Sequence, residues 1–187
     1  MDDIIELDYQ NKEMRQKMIE AMKFWVKETG VDGFRCDLAS WVTVNFWEEA
    51  RPELEKIKPL FFIGEFDELE NPEHGKIFDA SYSWKWMHKS ADFYKNNESI
   101  SELIDLLRKY SQIGDSSMRA WFTTNHDENS WNGTEYERMG DGVEAFTALT
   151  YLMPGMPLIY TGQEYDLKHR LKFFEKDSIP KIKAKMF

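Results

Sequence analysis

The chain has 187 residues and a mass of 22.3 kDa, which suits one domain or a domain with an appendage. At 42% hydrophobic and 15% aromatic it is too apolar for a disordered chain, and its net charge of −10 argues against the cation clusters that a nucleic-acid partner requires. A single cysteine, Cys36, excludes an internal disulfide or a thiolate zinc cluster, and no apolar run approaches the length of a membrane span. The acidic opening lacks the basic and apolar regions of a secretory leader, so a cytoplasmic location is expected.

Along the chain, Asn11 is suited to cap a first helix, and Met14, Met18 and Met22, with Trp25 beside them, recur at helical spacing. That methionine stripe reads as packing, and Gly30 fits the left-handed residue that closes the helix. A short strand follows over 31–37, then a helix over 41–57 stopped by Pro59, then an apolar strand over 60–65 that reads as fully buried. A shorter strand is expected at 77–80. Ser99 and Glu102 have the spacing of a capping box ahead of Leu103, Ile104, Leu106 and Leu107. A strand over 120–125, a helix over 142–153 and a last strand over 156–160 complete the pattern, and the basic stretch from Lys168 onward predicts no element. Two glycosylation-type triplets begin at Asn97 and Asn132, a pattern that also arises by chance, and Asn132-Gly133 reads equally well as a turn.

Strands that are apolar on both faces and alternate with helices imply a parallel sheet covered by helices, with ligands at the carboxyl ends of the strands. Asp37, Glu65, Asp127 and Glu164 all fall at such ends, which predicts an acidic site on one rim. For Glu164 a structural role and a substrate-facing role are equally open. Cys36, between Arg35 and Asp37, should face away from both as an inert buried thiol.

Three segments, Gly33-Phe34-Arg35-Cys36-Asp37, Phe62-Ile63-Gly64-Glu65 and Phe122-Thr123-Thr124-Asn125-His126-Asp127, stand in an order that resembles glycoside hydrolase family 13, the α-amylase family. The resemblance implies an α/β fold: a partial (β/α)8 TIM-type barrel of about five parallel strands, the fourth to the eighth, over residues 1–179, with 180–187 an unassigned tail. It also implies a glycoside hydrolase acting on α-glucosidic bonds of starch-like glucans by a retaining double displacement, which needs two carboxyl groups roughly 5–5.5 Å apart. Asp37 would be the nucleophile, kept ionised by Arg35, and Glu65 the general acid/base, its proton held by desolvation against neighbours such as Phe62 and Phe66. Asp127 would stabilise the cation-like transition state, and His126 would hydrogen-bond the sugar. Trp41 and Trp131, with Trp84 and Trp86, are either stacking platforms for glucose rings or core residues. Where many members carry Lys-His after the nucleophile, this chain has Ser40 and Trp41.

No organic cofactor and no metal is implied. The expected partners are a carbohydrate substrate and a second copy of the chain, joined through open barrel edges, with no nucleic acid and no membrane. The alternative reading is a truncated part-barrel without turnover that self-associates or only binds carbohydrate.

Overall fold

The computed structural model describes residues 5–96, 98–114 and 117–179. The tail 180–187 and Asn97 lie outside the described residues. The chain divides into two compact units, one of residues up to Tyr82 joined by Ser117, the other of Ser83–Gly114 and the residues from Met118 on.

The first unit holds α1 (Lys12–Thr29), β1 (Gly33–Cys36), α2 (Val44–Glu55), β2 (Phe61–Gly64), α3 (Pro72–Gly75) and β3 (Ala80–Tyr82). Asn11 caps α1 as its sequence predicts, its side chain accepting from the N–H groups of Glu13 at 3.0 Å and Met14 at 3.2 Å. Gly30 closes the helix at φ 71°, a value that glycine adopts at no steric cost. Ile19 and Val26 are the buried residues of α1, Met18 and Met22 pack against the core beside them, and Trp25 is exposed. Before α2 the chain makes a 3₁₀ turn at Ala39–Trp41, so α2 starts at Val44 rather than at position 41. Phe46, Trp47, Ala50 and Leu54 form its buried stripe, and Trp47 Nε1 ties it back to the Ala39 carbonyl at 2.9 Å.

β1 and β2 are parallel, with Gly33 opposite Phe61 and Cys36 opposite Gly64. β2 is not buried throughout, since Phe61 is exposed and Ile63 half-buried. β3, parallel to β2, begins three residues later than the sequence suggests. The cause is Asp79. Its N–H reaches the Phe62 carbonyl at 2.9 Å, but its carboxylate, held by Arg51 Nη2 at 2.9 and 3.0 Å, takes the Phe62 N–H at 2.8 Å in place of a main-chain acceptor, so regular pairing starts only at the next residue. Phe78 joins the helix layer to the sheet, with ring centroids 5.1 Å from Trp47, 5.3 Å from Phe66 and 6.1 Å from Phe62. Leu54 is fully buried in the same core. Leu54→Ala should therefore cost about 2–5 kcal/mol, read as a lower urea midpoint with an unchanged slope.

The second unit holds α4 (Trp84–Asn96), α5 (Ile100–Gln112), β4 (Met118–Trp121), α6 (His126–Asn132), α7 (Glu135–Met139), α8 (Val143–Leu152) and β5 (Met156–Pro157). β4 and β5 are parallel, with Ala120 opposite Met156, so the predicted α/β class with five parallel strands is borne out. Both strands are shorter than their apolar runs suggest. At Ser99 the predicted capping box does not form: the Ser99 hydroxyl caps the helix by accepting from the Ser101 N–H, while Glu102 pairs with Lys89. A complete capping box forms instead at Thr134 and Glu137, opening α7. Trp86 is 1% exposed and packs against Trp121 and Phe146, which settles it as core. Among the described residues no helix is long and apolar enough to cross a membrane.

Candidate active site

The parallel register explains how two carboxylates distant in sequence come together. Continued by one residue past Cys36 and Gly64, it sets Asp37 beside Glu65, and the Glu65 N–H bonds the Cys36 carbonyl at 2.9 Å to extend the ladder. Side chains alternate along a strand, so Arg35 and Asp37 share a face while Cys36 turns into the core. Arg35 Nη1 pairs with Asp37 Oδ1, and Nη2 lies 3.2 Å from Glu65 Oε2, so one guanidinium bridges both carboxylates.

The two acids sit in different surroundings. The Asp37 side chain is 70% exposed, whereas Glu65 is 9% exposed. Burial raises the Glu65 carboxyl above its ordinary value, Asp37 adds to the rise, and the Leu38 N–H and the Arg35 charge oppose it without cancelling it. Arg35 loses some of its preference for charge to burial, and its bonds to Tyr82 and Asp37 more than restore it. On the core face, burial pushes the Cys36 thiol up to about 12, which keeps it protonated and inert as expected. Because the folded chain holds the Glu65 proton more tightly than the unfolded chain, the stability it lends is full below about pH 4.5 and is lost as pH rises through the raised value. Glu65→Gln should therefore gain on the native chain between about pH 4 and pH 7, measured as the difference in urea-unfolding free energies at the two pH values.

Two contributors escape the sequence reading. Tyr82 Oη lies 3.4 Å from Arg35 Nε, with its ring 5.6 Å from the guanidinium carbon. It was hidden because the strand that carries it was expected to end at residue 80. The Leu38 N–H donates to Glu65 Oε2 at 2.9 Å, from a backbone conformation that no residue type announces. Trp41 is 67% exposed and lines a cavity of about 520 Å³ together with Tyr9, Asp37 and Val42.

His126 and Asp127 lie in the second unit at the start of α6, 3.4 Å apart. Asn125 caps that helix by accepting from the Glu128 N–H at 2.8 Å. Trp131 is 52% exposed and packs against two residues the sequence reading left out, Phe173 and Phe174, with centroids at 4.8 and 5.7 Å. Arg170 fastens that segment by donating to the carbonyls of Ser130 at 3.1 Å and Trp131 at 2.9 Å. Behind it, Glu135 accepts from Thr123 Oγ1 at 2.7 Å and from Gln163 Nε2 at 3.0 Å. The buried Arg138 donates to the carbonyls of Thr123 at 3.0 Å and Gly133 at 3.2 Å. Glu164 Oε2 accepts from the Gly162 N–H at 2.9 Å within its own turn. No group of three or more side chains suited to hold a metal ion occurs among the described residues.

The chain is 27% identical over 169 residues to alpha-amylase 2 of Dictyoglomus thermophilum and 29% identical over 167 residues to the maltogenic alpha-amylase of Bacillus acidopullulyticus. In both, 84% of this chain is matched, against only 29% and 28% of the relatives' own lengths. In three dimensions it is similar to a maltogenic alpha-amylase from Thermotoga neapolitana, with a TM-score of 0.83 at 32% identity over 95% of this chain and 41% of that one. An alpha-amylase from Lactobacillus plantarum gives 0.76 at 27% identity over 90% of this chain and 43% of that one. The fold class is thus that of part of a TIM-type barrel. The alpha-amylase catalytic-domain family matches residues 1–185, and on that match the chain belongs to this family, glycoside hydrolase family 13.

Proposed function

We propose that the chain carries the bond-cleaving groups of a glycoside hydrolase that acts on α-glucosidic bonds of starch-like glucans with retention of anomeric configuration. The observation that supports this most is the pair at the ends of β1 and β2: an exposed carboxylate and a buried carboxyl whose hold on its proton burial strengthens, bridged by Arg35. Asp37 attacks the anomeric carbon while Glu65 protonates the departing oxygen, giving a β-linked glucosyl-Asp37 ester. Glu65, now ionised, takes a proton from water or another acceptor hydroxyl, whose oxygen displaces Asp37 and restores the α configuration. Asp127 serves as the carboxylate that favours the cation-like transition state, His126 hydrogen-bonds the sugar, and Trp41 and Trp131 stack on glucose rings. The sugar set free from an activated α-maltoside should appear first as the α anomer, followed by proton NMR before mutarotation. A β anomer first, or no turnover at all, would refute the reading. The same proposal has β1, which pairs only with β2 among the described residues, open to a second copy, so sedimentation should give a dimer and a monomer would count against it.

A further inference from the structure

In a parallel pair, a residue on one strand bonds the two residues that flank its neighbour on the other. The chain follows this rule up to Glu65, whose N–H goes to the Cys36 carbonyl. The next bond should run from the Leu38 N–H to the Glu65 main-chain carbonyl. It does not: that N–H goes to the Glu65 side chain, to Oε2 at 2.9 Å. Leu38 stands at φ 42°, ψ 41°, a left-handed conformation that residues with a side chain rarely adopt. From there the chain leaves the sheet for the 3₁₀ turn, where the Trp41 N–H bonds the Leu38 carbonyl at 2.9 Å. A left-handed leucine thus ends the ladder at the residue beside the acid and frees one main-chain donor for its carboxyl group. Arg35 Nη2 approaches the same oxygen at 3.2 Å.

We propose that Leu38 is a positioning residue for Glu65: its N–H, with Arg35, fills Oε2, fixes the carboxyl group, and leaves Oε1 as the oxygen that carries the transferable proton. This rests on the reading of Glu65 as the acid. The charged and titratable groups around that carboxyl group are Arg35 and Asp37 from β1 and its end, with Tyr82 from β3 acting through Arg35. None of them is altered by the test.

The test replaces the Leu38 N–H alone, by ribosomal incorporation of leucic acid at position 38 in the full chain, which puts an ester where the amide stood. Leu38→Gly is the companion variant, since glycine keeps the N–H and accepts the left-handed conformation. The Glu65 carboxyl is followed by ¹³C NMR titration, its signal assigned by its absence in Glu65→Gln, so the readout does not depend on turnover. A donor to the ionised form is lost in the ester, so the Glu65 midpoint should rise by about one pH unit. The basic limb of the pH–turnover profile should rise with it, and Leu38→Gly should leave the midpoint in place. An unmoved midpoint in the ester overturns the proposal, as does a glycine variant that moves it as far as the ester does. Should the ester move the midpoint while Glu65→Gln keeps full turnover of an unactivated α-glucan, the acid role falls and the hydrogen bond stands, so the two failures are separable.

Discussion

On the proposed mechanism, Asp37→Asn should lose turnover of an activated α-glucoside by at least about 10³-fold, because the amide is isosteric but would have no anionic oxygen to form the glucosyl ester. An activated leaving group leaves little for the acid to do, so the loss reports the nucleophile rather than Glu65. Stability should hardly change. The Asp37 side chain is 70% exposed, and an exposed ion pair such as its bond to Arg35 contributes within about 1 kcal/mol. A second readout needs no activity. Asp37 raises the Glu65 carboxyl, so neutralising it should lower the Glu65 midpoint in a ¹³C titration. A variant with native turnover would remove Asp37 from the mechanism, and an unmoved Glu65 midpoint would show that the two carboxyl groups do not sense one another.

Gly33→Ala should be the most damaging single methyl in the first unit. A Cβ there would overlap the Phe61 carbonyl oxygen, a main-chain atom that cannot rotate away, at the position where β1 and β2 are in register. Separating those strands breaks the ladder whose end sets Asp37 beside Glu65. The expected result is a loss of about 3 kcal/mol or more, with turnover falling in step with the folded fraction. Gly30→Ala is the informative contrast. No atom lies within 4 Å of its Cβ position, but φ is 71°, so the cost is confined to the backbone and should be about 1 kcal/mol. Urea midpoints of the two variants measure the difference. Equal costs would mean that the close approach of β1 to β2 does not govern the stability of this unit.

What the sequence made legible here was whatever depends on period and order. Asp37 and Glu65 could be set at the ends of two parallel strands from the pattern of apolar runs, and the motif resemblance singled them out as a pair. Asn11 and Gly30 bound α1 because capping is local chemistry. Competition between side chains was not legible. Glu102 is drawn to Lys89 and leaves Ser99 with a simple cap in place of the box. Asp79 is drawn to Arg51 and the Phe62 N–H and delays β3, which is also why Tyr82 escaped notice beside Arg35. Trp86, which its residue type left open as platform or core with core favoured, is core because its neighbours from β4 and α8 cover it. Leu38 was beyond reach for another reason: leucine carries no signal for a left-handed backbone.

The position of Cys36 has a practical consequence. It is the one thiol in 187 residues, buried on the core face of β1 immediately before Asp37. A sulfhydryl reagent can reach it only when β1 lifts from the layer beneath. The labelling rate, followed against denaturant concentration, therefore measures the free energy of opening next to Asp37 without any probe being introduced. Saturating a sugar ligand that binds at the ends of β1 and β2 should slow that labelling, giving an affinity measurement that works even in variants unable to turn over.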